Sequence, residues 1–346
     1  MPYSIEEFDF ELPEELIASE ALPERSASRM LAVDRRSGSY YDARFAGLPG
    51  FLLDGDVLVL NNTRVFPARL FGRIATGANV EIFLVEELEA GVWSTLARPA
   101  KRLSAGKRID FGHGLSAEVL ERDSDGGKVK LRFETEGGID EMIDRLGRTP
   151  LPPYIRRERE APDTDRERYQ TVFAKERGAI AAPTAGLHFT PQILDEVREK
   201  GVTVAEVTLH VGYGTFEPVR VDEISQHRVQ PERYALSAET AELLNAAKSE
   251  RRRVVTVGTT TTRTLEYNIA KFGTFTQETG HADLTILPGY EFRAVDALLT
   301  NFHLPKSSLL FLVSAFAGRE LIMDAYRHAV RERYRFYSYG DCMFIY

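Results

Sequence analysis

Cysteine is almost missing from this 346-residue chain: Cys342 stands alone, which excludes an intrachain disulfide and any cysteine-cluster metal site and suits a reducing compartment. Histidine is sparse as well. The seven histidines are scattered, with no His-x-x-x-His pair, so no metal site is expected. Long apolar runs are also missing, because Leu309 to Phe316 is the longest and falls far short of the roughly 20 residues a membrane span needs. The opening MPYSIEEFDFELPEELIASE has neither the basic start nor the apolar stretch of an export signal. A cytoplasmic protein with no membrane partner is expected. No G-x-G-x-x-G or P-loop pattern occurs, and the glycines at 112 and 114 read as a turn. Broad positive charge is lacking too. A formal net charge of −8 argues against an indiscriminate nucleic-acid binder, since counterion release rewards wide basic surfaces, but it leaves room for a local basic groove.

What is present is ordinary globular composition, 43% hydrophobic and 28% charged, in a chain too long for one core, so two domains are expected. A helix signal covers Leu12 to Glu20, and Asp56 to Asn61 reads as a buried strand between turn residues. The pattern then changes. Between Phe66 and Glu134 six short strands are predicted, around 68–74, 79–86, 92–98, 107–111, 115–122 and 128–133, separated by turns such as Thr76-Gly77, Ala90-Gly91 and Asp125-Gly126-Gly127. Strands this close leave no room for helices, which indicates an antiparallel barrel or sandwich. A helix over Ile139 to Leu146 ends at Gly147, and Pro150-Leu-Pro-Pro-Tyr154 stiffens the way back into alternating strands and helices. The expected fold is a layered α/β domain interrupted by an antiparallel barrel of about six strands. Residues 1–63 form its first part, 64–149 the barrel, and 150–346 the second part with most of the site.

Four polar corners follow predicted strands. In Ala179 to Phe216, Thr190 caps a helix with Pro191 at its first position, Gly201 closes it, and Val207, Leu209 and Val211 alternate with Thr208 and His210. Pro183-Thr184-Ala185-Gly186-Leu187-His188 and Gly212-Tyr213-Gly214 supply small residues and free N–H groups there. The second corner is Gly258 with Thr259 to Thr262 and Arg263, a helix start suited to an anionic or carboxylate-bearing ligand. The third is Thr300-Asn301-Phe302-His303, and the fourth is Asn61-Asn62-Thr63-Arg64. Open α/β sheets collect ligands at such strand ends. Each corner also has a purely structural reading: glycine turns, a satisfied surface histidine at 210, threonine caps, an Asn-pair turn. Together they argue more strongly than any one does.

Basic residues cluster locally. Arg98, Lys101, Arg102, Lys107 and Arg108 fall within the predicted barrel with only Asp110 close by, where a phosphate backbone could lie. Arg156, Arg157, Arg159, Arg166 and Arg168 alternate with Glu158, Glu160, Asp163, Asp165 and Glu167, which reads as a solvated, self-paired helix face. The run Arg251 to Arg253 is ambiguous.

Several of these segments carry a family resemblance: Val59-Leu-Asn-Asn-Thr-Arg-Val65, Ala97-Arg-Pro-Ala-Lys-Arg-Leu103, Leu151-Pro-Pro-Tyr-Ile155, Asp165-Arg-Glu-Arg-Tyr-Gln-Thr171, Ala182-Pro-Thr-Ala-Gly-Leu-His-Phe-Thr190, Val257-Gly-Thr-Thr260 with Arg263, Thr300-Asn-Phe-His-Leu-Pro305 and Tyr334-Arg-Phe-Tyr-Ser-Tyr-Gly-Asp341. In order and over essentially the whole chain, they resemble the S-adenosylmethionine:tRNA ribosyltransferase-isomerases of queuosine biosynthesis. The resemblance implies an α/β domain with an inserted barrel. It also implies transfer and isomerisation of the ribosyl part of S-adenosylmethionine onto the aminomethyl group of preQ1 at the tRNA wobble position, giving epoxyqueuosine, adenine and methionine. The donor is then a consumed substrate, and no bound cofactor is expected. Two departures stand out. Arg228-Val-Gln-Pro-Glu232 follows His227 where the family usually has a Met-His pair, so His227 is given no proton-transfer role. Thr261-Thr262 replaces an expected Ser-Val.

On that reading the reaction needs a base of pKa near neutrality, the range in which histidine titrates, a group to assist adenine and an anchor for the methionine carboxylate. His188 or His303 is the expected base, with Thr184 and Asn301 beside them. Thr259, Thr260 and Arg263 are expected anchors, and Asn61, Asn62, Arg64, Gly186, Gly212 and Gly214 further substrate contacts, with His210 in a supporting role. The barrel's basic cluster is expected to bind tRNA. A monomer is expected. Two rivals stand beside this reading, a non-catalytic RNA-binding factor and a small-molecule S-adenosylmethionine or nucleoside transferase that needs no tRNA.

Overall fold

The computed structural model describes residues 3–123, 127–155, 157, 164–212, 214 and 218–346. The chain begins with β1 (Arg29–Asp34), β2 (Ser39–Arg44), β3 (Val57–Asn61) and a short β4 (Thr63–Val65). Next come β5 (Arg69–Ile74), β6 (Asn79–Glu89), β7 (Val92–Arg98), β8 (Arg108–Gly112), β9 (Leu115–Arg122) and β10 (Lys128–Glu134). Then α1 (Ile139–Leu146), α2 (Asp165–Arg168) and β11 (Glu176–Ala179) lead back to α3 (Pro191–Glu199), β12 (Thr203–Leu209), β13 (Glu232–Leu236), α4 (Ala238–Ser249), β14 (Val254–Val257) and α5 (Thr259–Phe272). The last elements are β15 (Glu278–Ala282), β16 (Ala297–Asn301), α6 (Ser308–Ala317), α7 (Arg319–Arg331) and β17 (Cys342–Ile345).

Nine strands form the main sheet in the order β15-β13-β12-β3-β14-β16-β17-β1-β2. At its centre β12, β3, β14 and β16 run parallel, paired as Val207 with Asn61, Thr256 with Val59 and Val257 with Leu299. The sequence of β3, Val-Leu-Val-Leu-Asn, is buried throughout, as a strand covered on both faces must be. Its side chains divide by the two-residue period. Val57 and Val59 pack with Leu244, Leu265, Phe311 and Tyr326 of α4 to α7, whereas Leu58 and Leu60 pack with Leu194 and Val197 of α3 and with Phe45 and Leu48. Helices therefore cover both faces.

The six strands β5 to β10 close into a barrel in the order β10-β7-β6-β5-β8-β9. Each expected strand is present, within about two residues except where β6 runs on to Glu89. Its interior is filled by Leu70, Ile82, Leu84, Ile109, Val119 and Leu131. Gly72 is required where β5 meets β8, because a Cβ there would lie 2.6 Å from Ile109 Cγ2 and 2.9 Å from Phe111 Cδ1. The way in and the way out are zipped together: β4 pairs in parallel with β11, Thr63 opposite Glu176, and Phe66 N donates to Ala179 O at 3.1 Å.

One expected element is absent. The segment Leu12 to Glu20 forms only a 3-10 turn at Glu14–Leu16, because Ala18 N is drawn to Phe336 O at 3.1 Å and Phe336 N to Leu16 O at 2.7 Å, which holds the backbone extended. The charged stretch expected as a paired helix face is described at Arg157 and from 164 onward. There Arg157 grips buried Asp165 at 2.7 Å, while residues 156 and 158–163 lie outside the described residues. Two of the ambiguous arginines are structural ties, Arg253 binding Asp56 at 2.6 Å and Arg252 binding Glu250 at 2.7 Å, while Arg251 is exposed. The turn glycine at 126 and Tyr213 also lie outside the described residues.

Candidate active site

Three neighbouring parallel strands deliver polar groups to one edge of the sheet: β3 ends at Asn61, β14 at Val257 and β16 at Asn301. After β14 the chain turns at Gly258, whose φ of +91° suits glycine, and its N–H donates to Leu299 O at 2.8 Å. This aims the first turn of α5 along the strand ends. The threonines there divide in use. Thr261, Thr262 and Thr264 donate back to the carbonyls of Val257 (2.7 Å), Gly258 (3.2 Å) and Thr260 (3.0 Å), which satisfies the hydroxyls inside the helix. Thr259 and Thr260 face a cleft of about 560 Å³, counting its open mouth. Opposite them lie Thr184 and Ala185 on one side and Thr300, Asn301, Phe302 and His303 on another, with Tyr337 and Ser338 at the rim and Tyr169 below.

The two histidines have different surroundings. Asn301 Nδ2 donates to the carbonyls of Tyr337 (2.9 Å) and Ser338 (3.3 Å), which leaves its Oδ1 facing His188 Nε2 at 3.0 Å. Nε2 therefore carries the proton, and Nδ1 accepts from Ser28 Oγ at 2.9 Å. His188 thus sits behind the cleft with both ring nitrogens engaged, and the Asn301 amide ties two loops together. Burial is the main cause that lowers the His188 pKa to about 4, with Arg335 and Arg25 adding repulsion. His303 lines the cleft itself. Its Nε2 is 3.0 Å from Thr300 Oγ1, its Nδ1 has no hydrogen bond among the described residues, and burial alone lowers its pKa to about 3. Both rings are neutral near pH 7, the form able to accept a proton, but burial makes each a weaker base than the near-neutral one expected from the sequence.

The other expected residues are distributed around this cleft. Asn61 stitches strands, accepting from Leu209 N at 3.0 Å and Thr63 N at 3.1 Å and donating to Leu209 O at 2.9 Å. Asn62 is held by Thr208 Oγ1 at 2.7 Å and Glu206 at 3.1 Å. His210 lies with Asn62 in a separate groove over β12 and β13, where Thr63 Oγ1 is 2.8 Å from its Nδ1 and burial lowers its pKa to about 4. Gly186 is a packing position, since a Cβ would fall 2.7 Å from Phe173 and 2.8 Å from Thr171. Arg64 is exposed in a groove between barrel and sheet, shared with Arg166 and Arg177. Arg263 and Gly214 line a neighbouring recess, and Gly212 N donates to Glu232 Oε1 at 2.9 Å. In the barrel, Arg98, Lys101 and Arg102 are exposed and have no ion pair among the described residues. Lys107 Nζ donates to Arg102 O at 2.7 Å, and Arg108 pairs with Glu134.

Sequence reasoning missed Tyr169, Tyr337, Ser338 and Glu232 as part of this region. Tyr337 holds a φ of +75°, unusual for an aromatic residue. It is fixed there by donating its N–H to Phe302 O at 3.0 Å, and its ring meets Tyr154 at 4.5 Å. Nothing in the local pattern signals that conformation; only the tail segment's resemblance marked the neighbourhood.

An α/β sheet with an inserted barrel and a neutral polar cleft at its strand ends belongs to the class of folds in which enzymes gather ligands at strand ends, and the comparisons narrow it. A family model described as queuosine biosynthesis protein matches residues 5–345. The chain belongs to this family. It is 51% identical over 343 residues to the S-adenosylmethionine:tRNA ribosyltransferase-isomerase of Geobacter metallireducens, covering 99% of each chain. The protein of the same name from Staphylococcus haemolyticus is 48% identical over 344 residues, again with 99% of each covered. Among solved structures, the S-adenosylmethionine tRNA ribosyltransferase of Thermotoga maritima is 39% identical, with a TM-score of 0.56 over 98% of this chain and 100% of that one.

Proposed function

We propose that this chain transfers and isomerises the ribosyl group of S-adenosylmethionine onto the aminomethyl group of preQ1 at the wobble position of tRNA, yielding epoxyqueuosine-tRNA, adenine and methionine. The observation that carries the proposal is near-complete coverage by relatives of that name at about half identity, in a chain three of whose four strand-end corners meet at one cleft. S-adenosylmethionine is consumed as a substrate, and the protein works in the cytoplasm as a monomer. Residues 64–149 act as an inserted unit whose exposed Arg98, Lys101 and Arg102, with Lys107 and Arg108, contact the tRNA backbone.

A sulfonium acidifies the protons on the adjacent C5′. His303, its neutral ring lining the cleft, removes one. The electron pair left on C5′ forms a double bond to C4′ as the C4′–O4′ bond breaks. O4′ becomes the carbonyl oxygen of an aldehyde at C1′, and adenine leaves C1′ with the proton handed back by the His303 imidazolium. The amine of preQ1 adds there, and closure of the epoxide expels methionine as a neutral thioether. His188 serves as a positioning residue, because its Nε2–H fixes Asn301 and through it the Tyr337-Ser338 rim. Thr184, Thr259 and Thr260 offer hydroxyls to the ribose or to departing adenine. Water is held off by burial of the cleft floor.

The test is to mix the protein with S-adenosylmethionine and tRNA bearing preQ1 and to measure adenine and the modified nucleoside. Adenine formed only when the tRNA is present supports the proposal. Product from the free base without tRNA selects a small-molecule transferase, and tight tRNA binding without turnover selects a binding factor.

A further inference from the structure

Beside the cleft, and sharing Leu309 with it, lies a recess that also contains Gly214, Val229, Glu232, Arg263 and Leu312. Arg263 projects from α5 one turn beyond Thr259 and Thr260, so the helix that floors the cleft also supplies the recess. The guanidinium and the Glu232 carboxylate are 7% and 5% exposed and meet at 2.7 Å. Arg263 Nε donates to Leu284 O at 3.2 Å. Its Nη2, however, is buried with no hydrogen-bond partner among the described residues. An unmade bond on a buried cation is costly, and a cation is the group for which a ligand acceptor compensates best. Close by, His227 has its Nε2 buried without a partner among the described residues, and Arg263 is near enough to be one of the charges that lower its pKa.

The chemistry of the recess selects its ligand. A dianionic phosphate would meet the adjacent Glu232 carboxylate and be repelled. A lone carboxylate would satisfy Nη2 but leave that repulsion in place. An α-amino acid carries a carboxylate and an ammonium on one carbon, which matches a guanidinium beside a carboxylate, and Val229, Leu309 and Leu312 suit the methylene chain that follows. We propose that the recess binds the α-amino-acid end of S-adenosylmethionine, carboxylate on Arg263 Nη2 and ammonium against Glu232, with the side chain passing over Leu309 so that the sulfonium lies in the cleft. This rests on the function proposed above and adds a second, charged subsite to a donor site whose first subsite is neutral.

The test compares equilibrium binding of S-adenosylmethionine, decarboxylated S-adenosylmethionine, the analogue lacking the α-amino group, and methylthioadenosine to the full chain. The wild-type protein should bind the decarboxylated donor at least tenfold more weakly, as befits loss of a bond to a charged group. Arg263→Ala alone would strand Glu232 and endanger folding, so the variant is the double change Arg263→Gln with Glu232→Gln. It should bind methylthioadenosine as the wild type does while losing most of the preference for the intact amino acid. Equal binding of the intact and decarboxylated donors by the wild type overturns the assignment, as does a double variant that keeps the preference. A chain that binds no S-adenosylmethionine at all overturns the proposed function and the recess with it. One that binds it but ignores the carboxylate overturns the recess alone.

Discussion

The strand-end cleft and the barrel's basic rim are built by opposite means. In the cleft the polar side chains are largely buried, and three of them are aimed by partners: Asn301 by His188 and two carbonyls, His303 by Thr300, Thr260 by Asn61. Nothing there carries formal charge near pH 7. On the rim, Arg98, Lys101 and Arg102 stand in solvent with no fixed geometry imposed by ion pairs among the described residues. Chemistry on a small substrate depends on placement to within about half an ångström, whereas attraction of a polyanion depends on charge density. A change in the cleft should therefore alter a rate, and a change on the rim should alter an affinity and its dependence on salt.

The largest contrast is expected at the histidines. His303→Ala should slow single-turnover adenine release by roughly 10²-fold or more with donor binding little changed. His188→Ala should instead cost about 1–3 kcal/mol of stability, read from urea unfolding, by stranding Asn301 Oδ1 and Ser28. Wild-type rates for both variants would remove histidine from the mechanism. Acid sharpens the same contrast. In the unfolded chain these histidines take up protons near pH 6.5, but in the fold only near pH 4 for His188 and pH 3 for His303. Between those limits the unfolded state holds more protons, so stability falls as pH falls from about 6.5 toward 3, by roughly 3 kcal/mol for His188 and roughly 5 kcal/mol for His303. Urea midpoints across that range check it, and His303→Gln should flatten the slope.

Smaller effects belong to the barrel. Gly72→Val should lower stability by about 1–3 kcal/mol through crowding against Ile109, visible as a lower unfolding midpoint; an unchanged midpoint would mean that β5 and β8 can separate freely. The smallest effect is expected for Lys101→Ala with Arg102→Ala. Adenine release at saturating tRNA should stay as in the wild type, while tRNA affinity weakens and the log–log salt slope drops by roughly 2. Unchanged affinity and slope would place the tRNA elsewhere.

The same contrast explains what could be read from the sequence. Barrel strands were legible because each alternates apolar and polar residues between glycine turns, and the central strand β3 because it is apolar throughout. The corners at Gly258 to Thr260 and Asn301 to His303 were legible because ligands gather at the ends of parallel strands. Which faces those corners share was not. Asn61 and Asn62 also join the end of β3 to β12, a pairing between residues nearly 150 positions apart that the local pattern does not announce. His210 sits one residue beyond β12 and so opens onto the other groove. Tyr337 reaches the cleft from the far end of the chain through a positive φ that local pattern does not announce. The Leu12 to Glu20 helix failed for the related reason that a distant segment, around Phe336, claims its backbone.

The central claim is that His303 takes a proton from C5′ of the donor in this cleft. S-adenosylmethionine carrying tritium at C5′ offers the most direct measurement, as release of label into water during a single turnover with tRNA bearing preQ1. The account predicts label release with each turnover by the wild type and its loss, together with adenine formation, in His303→Ala. Release by His303→Ala at the wild-type rate would contradict it.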